Sequence, residues 1–312
     1  MDDRLLERLL EERPDEVPER PPREPVLFCK TRTVRSGSLV EIECYPVYIG
    51  SYRRQLERVR VSPEAMRIVN DRNARKRFER LAEANFEPGK DYALTLTYAT
   101  APEDPAECER ELRNYRARVD RARKKLGLPR AKCIGVIEYG KKGRLHHHLI
   151  IEGGLDRDVM ERLWTKGYAN CDRIQRGPGG LAGLCKYLTK GFSAKREKGR
   201  HRYFFTRNLV QPRITESRTR ISRRQAERIR EDATIAGEMI IRKKWPELEL
   251  ESLTVRASEW LPGAYIYGRL RRHERADEQG ADMRAARLGP GERRGEPGGD
   301  PQRGRGPAGA AG

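Results

Sequence analysis

The stretch Cys133-Ile-Gly-Val-Ile-Glu-Tyr139, then Gly-Lys-Lys-Gly, then Leu145-His-His-His-Leu-Ile-Ile151 reads as two β-rich runs around a short glycine turn. Such a β-hairpin rules out a purely parallel sheet. Upstream, Tyr92-Ala-Leu-Thr-Leu-Thr-Tyr98 alternates apolar residues with threonine at the period of a strand. Asp104-Pro105 then starts a helix that runs through Leu112, Tyr115, Val119 and Ala122 and stops at Gly127. Downstream, Asp156 caps a short helix carrying Val159, Leu163 and Trp164, and Tyr168 to Ile174 reads as another strand. Gly177-Pro178-Gly179-Gly180 leads into a helix from Leu181 to Lys190. This order of elements predicts a two-layer α+β domain, an antiparallel sheet with helices on one face.

Further from the hairpin, Val26 to Tyr52 is rich in apolar and β-branched residues and predicts short strands about a turn at Ser36-Gly37-Ser38. Ser62-Pro63-Glu64 combines an N-cap, a first-turn proline and an acidic first turn. It opens a basic helix through Arg75, Lys76, Arg77 and Arg80 that ends before Pro88-Gly89. Beyond Tyr203 the pattern reads as helical and basic, over Thr215 to Glu231 and Ile235 to Trp245. The expected organisation is therefore a mobile charged arm over 1–25, a catalytic domain over 26–205, a basic and mainly helical auxiliary domain over 206–277, and a disordered Gly/Pro/Arg tail over 278–312.

The 312 residues contain 66 Lys+Arg against 47 Asp+Glu, a net charge of +19. Charged residues make up 36% of the chain, against roughly 25% in an average globular protein, and the excess is arginine, which suits bidentate contact with phosphate. A polyanionic partner is expected. No apolar run approaches the roughly 18 to 20 residues of a membrane span, and the N-terminus lacks the basic-then-apolar order of a secretory signal, so a soluble, cytoplasmic protein with no membrane partner is expected. The six cysteines show no CxxC pair and no metal-finger spacing, which reads as reduced packing residues.

Three of the five histidines are consecutive, His146, His147 and His148. In a strand the first and third point to one face and the second to the other. Two imidazoles on one face can share a metal ion, and Glu138 on the preceding strand can add a carboxylate if the turn sets the register, a two-histidine, one-carboxylate set suited to Mg²⁺ or Mn²⁺. The bland alternative is a polar patch on an edge strand. In the helix after the glycine loop, Leu181, Leu184 and Leu188 form an apolar stripe, while Tyr187 and Lys190 are neighbours on another side. A protonated phenol is a weak nucleophile, and a nearby ammonium and divalent cation both favour the phenolate. The alternative is a core-edge tyrosine and a solvated lysine.

Leu94-Thr-Leu-Thr-Tyr98, Gly143-Arg-Leu-His-His-His148-Leu and Leu184-Cys-Lys-Tyr187-Leu-Thr-Lys190, in that order and spacing, resemble the three motifs of the HUH endonucleases, specifically the rolling-circle replication initiators of plasmids and filamentous phages. The resemblance covers about residues 90 to 192. It implies a ferredoxin-like or RRM-like sheet, His146 and His148 as metal ligands with Glu138 as third, Tyr187 as nucleophile and Lys190 as its electrostatic partner. The implied reaction is nicking of single-stranded origin DNA by transesterification, leaving a 5′-phosphotyrosine link and a free 3′-hydroxyl. His147 departs from the family, which usually has an apolar residue there. Arg75, Lys76, Arg77, Arg144 and Lys186 are the expected DNA contacts, joined by the basic run from Arg116 to Lys125. With no GxxxxGK[ST] motif in the chain, a host helicase is the expected unwinding partner. A conjugative relaxase or a single-tyrosine transposase shares these motifs, and a noncatalytic nucleic-acid-binding protein on an RRM-like sheet is the alternative of another class.

Overall fold

A computed structural model of the chain describes residues 26–49, 62–100, 102, 105–139, 145–175, 177, 179–193, 201–257 and 263–272. The expected arm, the hairpin turn at 140–144 and the expected tail lie outside these residues. The class is mixed α+β, with two antiparallel five-stranded sheets and six helices among the described residues. None of those helices is long and apolar enough to cross a membrane.

The first sheet is built from β3 (Tyr92–Tyr98), β4 (Cys133–Tyr139), β5 (Leu145–Ile151), β6 (Gly167–Arg173) and the two-residue β7 (Phe204–Phe205), in the order β6-β3-β5-β4-β7. The predicted hairpin is β4 paired with β5. On one face Tyr92, Leu94, Leu96, Leu149 and Ile151 pack against Cys108, Leu112, Tyr115 and Val119 of α2 (Pro105–Lys125) and Met160 of α3 (Arg157–Arg162). The N-cap Asp156 opens α3 by accepting from the Asp158 N–H. The opposite face carries Ile134, Val136 and Ile150, which pack against Phe78, Leu81 and Ala82 of α1 (Pro63–Asn85) and Cys185 and Leu188 of α4 (Ala182–Leu188). The helical cover expected on one face is provided by α2 and α3, and the structure adds α1 and α4 on the other.

α1 begins as its sequence dictates, with Ser62 accepting from the Ala65 N–H at 3.2 Å and proline in the first turn. Its second neighbour is a sheet the local pattern does not reveal. β1 (Val26–Ser36) and β2 (Leu39–Ile49) form a hairpin about Gly37-Ser38, and both join C-terminal strands in the order β8-β1-β2-β10-β9, where β8 is Arg213–Ser217, β9 Leu248–Ala257 and β10 Ala264–Arg272. Its apolar face, including Val40, Ile42, Cys44, Ile266 and Leu270, is closed by Ala226 and Ile229 of α5 (Arg223–Glu231), Ile241 of α6 (Ile235–Lys244) and Trp245. The sheets therefore do not divide at residue 205, because residues 26–49 pair with 213–217 and 264–272 rather than with the first sheet. The expected helix over Thr215 to Glu231 is also corrected. Arg213-Ile-Thr-Glu-Ser217 pairs with β1 as an edge strand, and the helix starts only after Ser222, whose side chain forms a capping box with Gln225. The segment expected to be mainly helical holds three strands of this sheet.

The other face of the second sheet is charged and lies on α1. Arg80 donates to the Glu41 and Glu43 carboxylates, Tyr267 donates to Glu41, and Arg269 and Arg271 reach Glu79 at 2.8 Å and Glu83 at 3.3 Å. α1 is thus the joint between the sheets, apolar toward one and ionic toward the other. The Glu41 side chain is 2% exposed. Burial alone pushes its carboxyl up, but the Arg80 hydrogen bond and charge, with the Tyr267 hydroxyl, hold it below the ordinary value of 4.5. The stability this pairing supplies is present above that value and is lost as pH falls through the lowered one. Arg80→Met strands Glu41 without its main partner and should cost about 3–5 kcal/mol in urea unfolding at neutral pH. The loss should shrink as Glu41 protonates on acidification, and a cost independent of pH contradicts this role for the pair.

Candidate active site

Each side chain of the site is aimed by strand or helix periodicity. His146 and His148 project from β5 toward α4, and His147 projects into the opposite core. Directly across the β3–β5 pairing, Thr97 faces His146 and Thr95 faces His148. Thr97 Oγ1 lies 2.9 Å from His146 Nδ1, and Thr95 Oγ1 lies 3.1 Å from His148 Nδ1. The two rings lie 6.1 Å apart at an interplanar angle of 26°. With Nδ1 of each ring held by a hydroxyl, the Nε2 atoms are the ones offered to a ligand, and the hydroxyls fix tautomer and ring orientation as partners of metal-binding histidines do.

Glu138 stands opposite His146 on β4, the register the hairpin reading required. Its Oε2 lies 3.1 Å from His148 Nε2 and its Oε1 3.3 Å from Lys190 Nζ. Burial pushes the His148 imidazole below its ordinary value against the opposing pull of Glu138, which favours the neutral, ligating form. Two imidazoles and a carboxylate are a donor set suited to a divalent cation such as Mn²⁺ or Mg²⁺. Among the described residues, however, no group of three such side chains closes on one point, because the Glu138 carboxylate is drawn into hydrogen bonds with His148 and Lys190.

α4 brings the phenol to this carboxylate. Cys185 and Leu188 are buried and Leu184 is partly buried, so Tyr187 is left 53% exposed beside the histidines. Its ring meets His148 edge-on at 5.9 Å, and Lys190 Nζ stands 4.3 Å from its centroid. Lys190 begins a 3₁₀ turn after the α-helix has ended at Leu188, where Thr189 turns its hydroxyl to Cys185 O at 2.7 Å. Both ends of α4 are tied to α1. Glu83 accepts from the Leu181 N–H at 2.8 Å, and Arg75 Nε donates to Thr189 O at 3.4 Å. The preceding Gly180 has φ 63°, and a Cβ there would collide with the Glu83 carboxylate.

His147 is 0% exposed and sits in the first core. Its Nε2 pairs with the Tyr98 hydroxyl at 2.8 Å, and burial, followed by the charges of His148 and His146, pushes it down to about 4. It is a neutral packing residue filling the position the resemblance assigns to an apolar side chain.

The expected DNA contacts separate. Lys186 and Arg77 are exposed, Arg77 with its guanidinium 6.0 Å over the Phe205 ring, and Arg75 is partly buried at the end of α4. Lys76 is a correction. Its Nζ lies 3.9 Å over the Tyr267 ring and 3.9 Å from Glu43, because one residue along a helix turns the side chain about 100° onto the second sheet. Arg144 lies outside the described residues. The Arg116 to Lys125 run belongs to α2, across the sheet from the site, and Arg123 within it is buried against Glu152 at 3.1 Å and the carbonyl of Pro129. Sequence reading missed Thr95, Thr97 and Glu83. The signal for the threonines was their own period of two, matching that of His146 and His148.

An antiparallel sheet with paired histidines and a carboxylate on one face, and a tyrosine and lysine on a helix above them, defines a candidate phosphoryl-transfer site. Residues 91–192, which hold all of these groups, match a family model for replication-associated proteins of the ORF2 type. This supports a relationship to replication initiators. No curated protein and no solved structure matches the chain.

Proposed function

We propose that the chain is a replication initiator that nicks and rejoins origin DNA through Tyr187. The observation that carries this reading is the convergence of His146, His148, Glu138, Tyr187 and Lys190, from three separate motifs, within the stretch that matches the replication-associated family. The Tyr187 oxygen attacks the scissile phosphorus and forms a Tyr–O–P bond while the P–O3′ bond breaks. The tyrosine proton is lost and the leaving oxygen takes up a proton, so the products are a 5′-phosphotyrosine and a free 3′-hydroxyl. The Lys190 ammonium favours negative charge at the ring and the phosphate and holds Glu138 in place. His146, His148 and Glu138 would hold a divalent cation, which when bound supplies Lewis-acid polarisation of the phosphate.

The bond energy kept in the phosphotyrosine permits rejoining, and the 3′-hydroxyl serves as a primer. A host helicase supplies unwinding in this scheme. The catalytic motifs are shared with relaxases and transposases, and the family match is what favours the initiator. The test is to incubate the purified protein with single-stranded DNA of its own replicon and Mn²⁺ and to extend the products with a polymerase. Fragments that the polymerase can extend, absent with EDTA, are expected. Binding without cleavage on every candidate origin strand contradicts the proposal.

The threonines give a finer test. Thr97→Val keeps the shape of the side chain and removes the hydroxyl at His146 Nδ1. Calorimetric titration with Mn²⁺ is expected to show affinity about 10- to 100-fold weaker, the usual effect of losing a ligand-orienting partner. Unchanged affinity removes Thr97 from the site.

A further inference from the structure

We infer that the open part of the same sheet face is a base-stacking subsite for single-stranded DNA, with Tyr168 as its platform; its place beside a scissile phosphate rests on the nuclease reading. The pairing puts Tyr168, Thr97, His146 and Glu138 in one cross-strand row over β6, β3, β5 and β4. Residues directly opposite one another project to the same face. Tyr168 therefore points the same way as the histidines and stands two strand spacings, about 10 Å, from His146.

α1 and α4 cover this face over Ile134, Val136 and Ile150. Toward the β6 edge the cover ends, leaving Thr95, Thr97 and Asn170 partly exposed and Asp172 exposed. The Tyr168 ring is 70% exposed, with Ile235 the highest among the large apolar side chains described. A tyrosine that serves packing is buried, as Tyr92 and Tyr98 are on the other face of β3. An exposed aromatic ring on a polar sheet face, continuous with a site for phosphate chemistry and in a chain of net charge +19, suits a nucleobase. Asp172 on the same face repels phosphate, so the strand approaches here by its bases while cations nearer the site hold its backbone.

The test measures affinity of the full chain for fluorescein-labelled oligodeoxythymidylate and for an abasic oligonucleotide of the same length, by anisotropy over a range of salt. Tyr168→Ala should weaken binding to the base-bearing oligonucleotide about tenfold, leave the abasic one unchanged and keep the salt slope, whereas Tyr168→Trp should bind as wild type does. Equal affinity of wild type and Tyr168→Ala for oligodeoxythymidylate overturns the inference, as does a wild type that binds both oligonucleotides equally. Adduct formation by the wild-type protein on replicon DNA is read separately. An adduct together with an unaffected Tyr168→Ala removes the subsite and keeps the nuclease. Base-dependent loss in Tyr168→Ala without any wild-type adduct does the reverse.

Discussion

Tyr187→Phe should abolish covalent attachment to DNA and reduce nicking by at least about 1,000-fold while the protein stays folded and continues to bind DNA. The two effects separate because the substitution removes only the oxygen. The ring remains to meet His148 edge-on and to lie beneath the Lys190 ammonium, and the side chain is half exposed, so unfolding stability should change by less than about 0.5 kcal/mol. A denaturing gel with radiolabelled replicon DNA reads the adduct, and anisotropy reads binding. Nicking at the wild-type rate in Tyr187→Phe means that another nucleophile, or water, does the chemistry.

His148→Ala is expected to have the next largest effect, because His148 meets every other part of the site. It faces Thr95, hydrogen-bonds Glu138 and packs against Tyr187. Its removal takes away one imidazole and leaves Glu138 with Lys190 as its remaining charge partner in the site. Divalent-dependent nicking should fall by at least about 100-fold, and titration followed by electron paramagnetic resonance should show bound Mn²⁺ disappearing along with it. Because the imidazole is buried and hydrogen-bonded on both nitrogens, its deletion should also destabilise the fold by about 1–3 kcal/mol. Circular dichroism should therefore be recorded beside the titration. A folded His148→Ala that binds Mn²⁺ as wild type does contradicts the assigned ligand role.

The candidate site was legible in the sequence to the extent that local periodicity governs it. Period two in Leu145 to Ile151 separates His147 from its neighbours, and helical spacing puts Lys190 beside Tyr187. The orienting threonines were harder to read because their pairing with the histidines joins strands about 50 residues apart, which no local pattern reports. The same reason hid the second sheet. Residues 26–49 look like the start of whatever follows them, yet their partners are β8 and β10 near the other end of the described chain. In Arg213 to Ser217 the helical reading lost to pairing with β1, and the cap that starts the following helix lies at Ser222. Lys76 was misplaced for a different reason. A run of basic residues reads as one surface, whereas a helix sends Arg75 to the end of α4, Lys76 to the second sheet and Arg77 to Phe205.

The most direct measurement of covalent catalysis by Tyr187 is peptide mass mapping of the wild-type protein after incubation with single-stranded DNA of its own replicon and Mn²⁺, followed by nuclease and protease digestion. A nucleotide mass on the peptide that contains Tyr187, absent when EDTA is present, is the expected result. Cleaved DNA with Tyr187 unmodified, or a nucleotide carried on any other residue, would contradict it.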